Sequence, residues 1–362
     1  MRRALELAAQ ADYQTSPNPM VGAVILDASG QLAGEGFHLR AGAPHGEATA
    51  LERAGDRARA GTLYVSLEPC SFQGRTPPCA DAVVAAGVSR VVVAMQDPDV
   101  RVAGTGLTRL RAAGIEVEVG VEEAAARRLN RFYVKQRTTG VPWVTVKFGA
   151  SLDGRIATAG GESRWITGAS AREESHRLRQ RHDAILVGVG TVAADDPELS
   201  NRLPDATRQP LRVVLDSTLR MPAAARGLAG AGGRPTLVAT TRRSAAAAGA
   251  ALQAAGAEIL TLDPADASGR VDLGLLLKAL GERGVLSVLV EGGSEVNGAF
   301  FDKGLVDGVV AFLAPVVLGG REAPGAVGGE GVRRLADAFR LHNLEIRQLD
   351  GDLIVSGECS PG

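Results

Sequence analysis

One stretch in the first quarter of the chain gathers side chains that can bind a metal ion. His45, Cys70 and Cys79 can each supply a neutral nitrogen or a thiolate, and Glu47 follows the histidine by two positions. Three nitrogen and sulfur ligands, with a fourth position left for water, form a catalytic zinc site, whereas a structural site is closed by a fourth Cys or His. No further Cys or His lies close after Cys79 in the sequence. The pattern therefore predicts catalytic zinc with Glu47 as its acid/base partner.

The order of these residues partly matches the zinc nucleobase deaminases. Those enzymes carry H-x-E followed later by P-C-x-x-C. Here the first half begins at His45 and the second at Pro69, but eight residues, SFQGRTPP, separate Cys70 from Cys79. The insert holds one glycine and two prolines, which is typical of a loop that can return Cys79 to the metal. Cys79 then opens a helix-like run, and we expect the helix N-terminus to lower the pKa of its thiol.

Composition limits the class of protein. The chain has 362 residues, 45% of them hydrophobic and 22% charged, which favours a globular protein of two domains. The net charge of -1 provides no electrostatic footprint for nucleic acid or for an anionic membrane. The N-terminus lacks the apolar core of a signal peptide, and no run reaches membrane-spanning length. With two of three cysteines assigned to metal, we expect a reducing, cytoplasmic location.

Strand-like and helix-like segments alternate through both halves, which predicts α/β domains with largely parallel sheets. In the first half we expect strands near 21–27, 32–38, 62–67, 90–94 and 115–119 and helices at 2–11, 46–54, 79–86, 105–113 and 121–137. In the second half we expect strands near 142–148, 183–187, 211–215, 235–239, 257–261, 286–290 and 308–313 and helices near 170–180, 245–255, 271–281 and 294–303. The segment 223–234 reads as a surface loop, and Gly140 and Pro142 mark the boundary between domains 1–140 and 141–362.

The second half carries polar clusters at the ends of its predicted strands. In one, an apolar strand ends in Glu291, Gly292 and Gly293, and a helix starts near Ser294. Free N–H groups at such a helix start suit a pyrophosphate. A plain tight turn remains an equal alternative for this glycine pair. His38 in the first half is interpreted as a substrate-side or structural residue, because three metal ligands are already assigned.

Together these motifs resemble the bifunctional riboflavin-biosynthesis deaminase/reductases over nearly the whole chain. The first half carries SPNPMVGAVI, GEGFH, RAGAPHGEATAL, YVSLEPCSFQGRTPPC and QDPD, and the second carries KFGASLDGRIAT, GESRWIT, ADDP and VEGG, in the family's order. The resemblance implies a cytidine-deaminase-like three-layer domain followed by a dihydrofolate-reductase-like domain. Gly46, where the family usually has Ala, and Asp99-Val100, in place of a common Asn-Pro, are departures that remove no reactive group.

The resemblance also implies roles for the matching residues. His45, Cys70 and Cys79 would hold zinc, and Glu47 would move the proton. Residues matching the NADPH site are Gly149, Trp165, Thr191, Asp195, Ser217, Gly293, Ser294, Glu295, Val296, Asn297, Gly298 and Ala299. Residues matching the site for the phosphoribosylamino-pyrimidine are Ser163, Arg179, Leu199, Arg202 and Glu291, with Lys147 as a further substrate contact.

The implied reactions are zinc-dependent deamination of a diaminopyrimidinone ribosylamino-phosphate and NADPH-dependent reduction of its ribosyl group to a ribityl group. Arg242 or Arg243 could pair with the extra phosphate of NADPH, or they could form a solvated basic turn. Two alternatives are a zinc deaminase acting on tRNA bases and a non-catalytic nucleotide-binding protein. The neutral charge opposes the first, and the complete set of four metal-site residues opposes the second. We expect a homo-oligomer.

Overall fold

A computed structural model describes residues 1–72, 77–228, 235–244 and 246–360. The middle of the loop predicted between Cys70 and Cys79, and the end of the loop predicted at 223–234, lie outside the described residues. The chain divides into two compact units, Met1–Gly140 and Val141–Gly362. One unit contains a five-stranded sheet and the other a nine-stranded sheet, each with helices, which confirms the α/β prediction for both halves.

The first unit contains five strands and six helices among its described residues. The strands are β1 Gly22–Leu26, β2 Leu32–Phe37, β3 Thr62–Val65, β4 Arg90–Val93 and β5 Glu116–Val119. The helices are α1 Arg2–Ala9, α2 Gly46–Ala54, α3 Cys79–Ala85, α4 Thr105–Ala112, α5 Glu123–Leu129 and α6 Arg131–Thr139. The sheet order is β2-β1-β3-β4-β5. The first two pairings are antiparallel and the last two parallel, so this sheet is mixed rather than mostly parallel as expected.

Helix α2 lies directly on the sheet because glycines in β2 allow a close approach. A Cβ atom at Gly34 would lie 2.3 Å from the Ala50 carbonyl oxygen, and one at Gly36 would lie 2.6 Å from the Thr49 Cβ. Ala50 is fully buried in the core beneath the helix. Any side chain at Gly34 would therefore push α2 outwards, together with the two functional residues at its N-terminus.

The single helix predicted at 121–137 is wrong; the structure has α5 and α6, which meet at Asn130. The Asn130 side chain is buried, accepts a 2.8 Å hydrogen bond from the Met20 N–H and donates one of 2.9 Å to the Met20 carbonyl. Both main-chain polar groups of one residue, 110 positions away, are thus satisfied by one side-chain amide. This tertiary contact fixes the break, and helical periodicity cannot reveal it.

The second unit contains the remaining strands and helices. The strands are β6 Trp143–Ser151, β7 Ala184–Gly188, β8 Leu211–Leu215, β9 Thr236–Thr241, β10 Ala257–Leu262, β11 Ser287–Val290, β12 Gly308–Ala314, β13 Arg340–Leu349 and β14 Asp352–Ser360. The helices are α7 Ala169–Arg181, α8 Val189–Asp195, α9 Ala246–Ala254, α10 Leu273–Glu282 and α11 Ser294–Asp302. Strands β6 to β12 lie close to the predicted positions, whereas α8, β13 and β14 were not predicted.

The strand order of the second sheet indicates which of its edges binds a ligand. The order is β10-β9-β8-β7-β11-β6-β12-β14-β13. All pairings from β10 to β12 are parallel, so their carboxyl ends meet at one edge. Strand β11 enters between β6 and β7, after the chain has moved outwards through β8, β9 and β10. Ligands of open α/β sheets bind at the carboxyl edge where the strand order reverses in this way. The edge formed by β6, β11 and β7 is therefore the expected ligand site.

Among the described residues, none of the helices combines the length and apolar character that crossing a bilayer demands.

Replacing Asn130 with Ala is expected to destabilise the first unit. The change leaves the buried N–H and carbonyl of Met20 without partners, at a cost of about 2 kcal/mol or more. Chemical unfolding followed by circular dichroism measures the loss, while fluorescence of Trp143 and Trp165, both in the second unit, reports that unit separately.

Thr138→Ala on the exposed side of α6 is the control and should change the free energy of unfolding little. Equal stability of Asn130→Ala and Thr138→Ala would show that the contact with Met20 does not hold the two helices.

Candidate active sites

Three potential metal ligands converge in the first unit. The Nδ1 atom of His45 lies 3.7 Å from the Cys70 Sγ and 3.2 Å from the Cys79 Sγ. The ligand atoms of all three residues lie within 4.8 Å of one another. Tetrahedral zinc with normal Zn–N and Zn–S bonds separates such atoms by about 3.6 Å. The arrangement therefore fits a zinc ion, and the eight-residue insert does return Cys79 to the other two ligands.

The ligands come from three chain segments that main-chain contacts hold together. His45 is the N-cap of α2, Cys70 follows β3, and Cys79 is the first residue of α3. The Cys79 N–H donates to the Cys70 Sγ at 3.3 Å, and the Ala80 N–H donates to the Cys70 carbonyl at 3.0 Å. The start of α3 is thus docked onto Cys70. This contact positions both sulfurs, although eight residues separate the two cysteines in the sequence.

The pKa values of the two thiols are shifted in opposite directions. Hydrogen bonding from the Cys79 thiol, together with His45, lowers the pKa of Cys70 to about 4. The same interaction and burial raise the pKa of Cys79. The expectation that the helix start lowers the pKa of Cys79 is therefore wrong, because the hydrogen bond to the Cys70 sulfur and burial raise it. A zinc ion would favour both thiolates, since a coordinating thiol is deprotonated outright.

Glu47 is enclosed beside the three ligands. Its side chain is 2% exposed, and its Oε2 has no hydrogen-bond partner among the described residues. Burial raises the pKa of Glu47 to about 7, with His45 opposing the shift. A buried carboxyl group beside metal ligands, with a pKa near the working pH and one oxygen without a partner among the described residues, has the properties of a general acid/base.

His38 packs against the metal-binding histidine. The ring centroids of His38 and His45 lie 5.1 Å apart in an edge arrangement. His38 is buried, with Nδ1 3.0 Å from the Pro44 carbonyl and Nε2 3.3 Å from the Asn18 Nδ2. Burial lowers the pKa of His38, so at neutral pH it remains an uncharged partner. Its contacts orient His45 and the loop before it, which fits the structural interpretation.

A buried carboxylate next to Cys70, which the sequence analysis missed, organises the loop opposite the site. Glu68 is 3% exposed, and its two oxygens accept four main-chain hydrogen bonds, at 2.9 to 3.3 Å. The four donors are the N–H groups of Asp97, Gly104, Gly106 and Leu107. Its position two residues before a ligand was the only sequence signal. Glu68 fixes the end of β3 to the start of α4, and so fixes the direction in which Cys70 leaves the strand.

The departure at Asp99 is accommodated by two arginines. The Asp99 carboxylate pairs with Arg101 at 2.5 Å and with Arg137 at 3.3 Å. These neighbours hold the pKa of Asp99 below its usual range, with Arg101 the largest cause. The Arg101 guanidinium also lies over the Phe72 ring, 5.6 Å from its centroid. An acid at this position is therefore neutralised locally by the arginines beside the loop after β4.

The second unit contains a buried ion pair at the carboxyl edge of its sheet. Arg179 of α7 binds Glu291, which follows β11, through two hydrogen bonds of 3.0 and 2.8 Å. The two side chains are 14% and 11% exposed. Burial would raise the pKa of Glu291, but Arg179 and Lys147 outweigh it and bring the pKa down to about 2. Two residues assigned to substrate binding from sequence are thus joined directly.

Lys147 also interacts electrostatically with the Glu291 carboxylate. It projects from β6, and its Nζ lies 5.1 Å from the centroid of the Phe312 ring. Burial lowers the pKa of Lys147, and Glu291 partly opposes that shift. Two cations, Lys147 and Arg179, therefore face one carboxylate. This surplus of positive charge suits an anionic ligand.

The residues assigned to the cofactor surround the same edge. Gly149 is in β6, Thr191 and Asp195 are in α8, Ser217 follows β8, and Gly293 to Ala299 form the start of α11. No side chain caps the N-terminus of α11, so its first N–H groups remain available to an anion. The Oδ1 of Asn297 is also buried without a partner among the described residues. These features fit a dinucleotide phosphate at the start of α11.

The other predicted residues lie on loops around this edge. Trp165 is 67% exposed, and the Arg172 guanidinium lies 4.5 Å from its ring centroid. Ser163 is half-buried in the same loop, and Leu199 is buried with a φ of 54°. Arg202 contacts His176, a residue that sequence reasoning did not assign. His176 precedes Arg179 by one helical turn, and that spacing was a signal available in the sequence.

The basic turn proposed for the extra phosphate of NADPH is partly occupied by protein contacts. Arg242 pairs with Asp263 at 2.9 Å on the surface, and Arg243 donates to the Ala267 carbonyl at 3.2 Å. The Arg242 side chain is 78% exposed. An exposed pair of this kind is weak, so a phosphate can displace it at little cost.

Two family models match the chain. Residues 1–95 match the cytidine and deoxycytidylate deaminase zinc-binding region, and residues 142–355 match the RibD C-terminal domain. Riboflavin biosynthesis protein RibD of Bacillus amyloliquefaciens is 42% identical over 98% of this chain and 94% of its own length. RibD of Escherichia coli strain K12 is 42% identical over 98% of this chain and 96% of its own.

Solved structures are similar over the full length. Acinetobacter baumannii RibD matches with a TM-score of 0.88 and 39% identity, covering 100% of this chain and 97% of that one. A diaminohydroxyphosphoribosylaminopyrimidine deaminase/5-amino-6-(5-phosphoribosylamino)uracil reductase from Thermotoga maritima matches with a TM-score of 0.82 and 33% identity, with the same coverage. These matches confirm the expected pair of folds, a cytidine-deaminase-like domain followed by a reductase domain.

Purified protein is expected to contain about one zinc ion per chain, because one open site is present. Cys79→Ser should remove most of that zinc, since a hydroxyl is a poor substitute for a thiolate ligand. Elemental analysis of the two proteins measures the difference.

Cys359→Ser is the matched control, because Cys359 is the remaining cysteine and lies in the second unit. Full zinc content in Cys79→Ser would show that Cys79 does not bind the metal in solution.

Proposed function

The chain belongs to the RibD family and is a bifunctional deaminase and reductase of riboflavin biosynthesis, and we propose how its residues divide the two reactions. The unit 1–140 carries the deaminase and the unit 141–362 the reductase. The observation that carries this assignment is the convergence of His45, Cys70 and Cys79 beside the buried carboxyl of Glu47. Its position within the matched zinc-binding region supports the same division.

The deaminase substrate that we propose is 2,5-diamino-6-(5-phosphoribosylamino)pyrimidin-4(3H)-one, in agreement with the printed activity of the Thermotoga maritima relative. His45, Cys70 and Cys79 would hold the zinc ion, which when bound lowers the pKa of a water ligand toward about 7. Glu47 would accept the proton of the attacking water and pass it to the ring nitrogen, and would then take the proton of the added hydroxyl and pass it to the departing ammonia. Burial suits Glu47 to both tasks, because its pKa lies near the working pH.

The reductase half would convert the deaminated ribosylamino compound to 5-amino-6-(5-phosphoribitylamino)uracil. NADPH supplies the hydride when bound, and the protein orients it. The N-terminus of α11 would bind the cofactor's phosphates, and the loop carrying Trp165 would cover it. Arg179, Arg202, Leu199, Ser163 and Glu291 would hold the substrate, with Lys147 as a further contact. The surplus positive charge around Glu291 supports this placement of a phosphorylated substrate.

A homo-oligomer is the proposed state, with the C-terminal hairpin as its contact surface. Strand β13 forms the edge of the nine-stranded sheet, and Leu344 and Ile346 on it are 52% and 63% exposed. An unpaired edge with apolar side chains is a template for association. Sedimentation of the purified protein tests this proposal. We also propose a cytoplasmic location, because a reducing compartment keeps the thiols of Cys70 and Cys79 available to metal.

A deaminase acting on tRNA bases is not favoured. The relatives carry names from riboflavin biosynthesis, and a net charge of -1 provides little attraction for an RNA backbone.

Glu47→Gln is expected to reduce deamination by at least about 10²-fold, because it removes a general acid/base and retains the side-chain size. Zinc content should remain, since Glu47 is not a proposed ligand. The variant should still oxidise NADPH when supplied with the deaminated intermediate, because the reductase residues lie in the other unit. Ammonia release from the starting pyrimidine and NADPH oxidation with the intermediate are the two measurements.

Glu52→Gln, farther along α2, is the matched control and should retain both activities. Deamination that survives in Glu47→Gln would assign the proton transfer to another group. Loss of NADPH oxidation with the intermediate would show that the two reactions are not separable.

The reductase is expected to prefer NADPH over NADH. If Arg242 or Arg243 binds the extra phosphate, replacing both with Ala should raise the KM for NADPH about tenfold and leave that for NADH unchanged. Steady-state rates with both cofactors measure the preference. Equal catalytic efficiency of the wild type with the two cofactors would contradict the expectation, and an unchanged KM in the double variant would identify the turn as a solvated surface.

A further inference from the structure

His176 lies between two arginines at the carboxyl edge of the second sheet. It precedes Arg179 by three residues on α7, so both side chains project from one face of the helix. The loop after α8 brings Arg202 to the other side of the ring. Leu199, buried with a φ of 54°, bends this loop towards α7. His176 therefore stands among the residues proposed to bind the reductase substrate, although no role is assigned to it above.

Both ring nitrogens of His176 face hydrogen-bond donors. Its Nδ1 lies 3.3 Å from the main-chain N of Arg202, and its Nε2 lies 3.5 Å from the Arg202 Nη2. A neutral imidazole has one acceptor nitrogen and one N–H, and an arginine side chain has no acceptor. In either tautomer, one ring N–H therefore points towards an Arg202 donor. An oxygen atom that accepts from both groups resolves this conflict.

The charges around the ring favour a neutral imidazole and an anionic ligand. The charged groups that face it are Arg179 from its own helix, Arg202 from the loop after α8 and Glu291 from the end of β11. Burial and the two arginines lower the pKa of His176 to about 4, while Glu291 and a hydrogen bond to the Ser200 main chain oppose them. Glu291 is already bound to Arg179 by two hydrogen bonds. The Arg202 guanidinium, 52% exposed, contacts Glu198 at 3.4 Å through its Nη1 and the His176 Nε2 at 3.5 Å through its Nη2.

We propose that His176 is a substrate-binding residue of the reductase, donating its Nε2–H to the phosphate of the substrate together with the Arg202 guanidinium. This inference rests on the proposed reductase function of the second unit. The shorter contact at Nδ1 assigns that nitrogen as the acceptor of the Arg202 main-chain N–H, which leaves Nε2–H for the ligand. One imidazole thus shapes the loop through one nitrogen and binds the phosphate through the other.

Two conservative substitutions separate these tasks. His176→Asn places an amide oxygen near the position of Nδ1, so it can keep the bond to the Arg202 N–H but loses the outer donor. His176→Gln carries its amide farther out, near the position of Nε2, and can still donate to a phosphate. We expect Asn to raise the reductase KM for the phosphorylated substrate about tenfold with little change in kcat, and Gln to restore most of the affinity.

The same variants are assayed with the dephosphorylated substrate and with inorganic phosphate as a competitive inhibitor. The Asn variant should bind inorganic phosphate about tenfold more weakly than wild type and should show no further loss with the dephosphorylated substrate. Arg177→Ala is the matched control, because Arg177 is the next residue on α7 but pairs with Glu173 on the exposed side. An unchanged kcat for NADPH oxidation verifies that the second unit of each variant is folded.

An equal KM increase with the phosphorylated and dephosphorylated substrates would overturn the proposal, because it would show that His176 does not contact the phosphate. Normal KM in His176→Asn would overturn it as well, since the bond to the Arg202 N–H would then be its whole role. Absence of NADPH oxidation in the wild type would instead refute the proposed function, so the two failures are distinguishable.

Discussion

Buried charge is the constraint on which both sites depend. A carboxylate removed from water costs several kcal/mol unless hydrogen bonds or opposite charges replace its hydration. Glu68 obtains four main-chain N–H groups, and this fixes the loop beside Cys70. Glu291 obtains Arg179 and Lys147, and this fixes the ends of β11 and α7. Glu47 has one oxygen without a hydrogen-bond partner among the described residues, so its carboxyl is easily protonated and is available for chemistry.

A structural buried carboxylate has partners that compensate its charge, whereas a reactive one lacks part of this compensation. Removing Glu68 would leave four N–H groups without acceptors and release the segment that leads into α4. Arg179 is held on three sides, by both oxygens of Glu291 and by the Ser200 carbonyl at 2.9 Å, and so is rigid before any substrate arrives. Rigid donors lose little freedom on binding, which favours tight recognition of an anionic ligand.

Short sequence patterns predicted the features that depend on residues close together in the chain. Metal-binding residue types around His45, and turns after apolar strands, revealed the candidate ligands and most strands of both sheets. Tertiary contacts determined the rest: Asn130 divides one predicted helix by binding Met20, and Glu68 acts through groups some thirty to forty residues away. The hairpin β13–β14 was missed because β13 is exposed along most of its length and lacks a clear inward face. Its pairing with β14, rather than its own periodicity, makes it a strand.

The side-chain charges at the two sites have opposite signs. This difference affects how a phosphorylated pyrimidine is oriented in each site. Cys70, Cys79 and Glu47 supply negative charge that a zinc ion offsets, whereas Lys147, Arg179 and Arg202 leave the second site positive around Glu291. The ionised form of Glu47 repels a phosphate, whereas the arginines of α7 and its neighbouring loop attract one. We therefore propose that in the first site the uncharged pyrimidine points inwards and the phosphate outwards. In the second site we propose that the phosphate is the anchor, because its negative charge balances the surplus positive charge around Glu291.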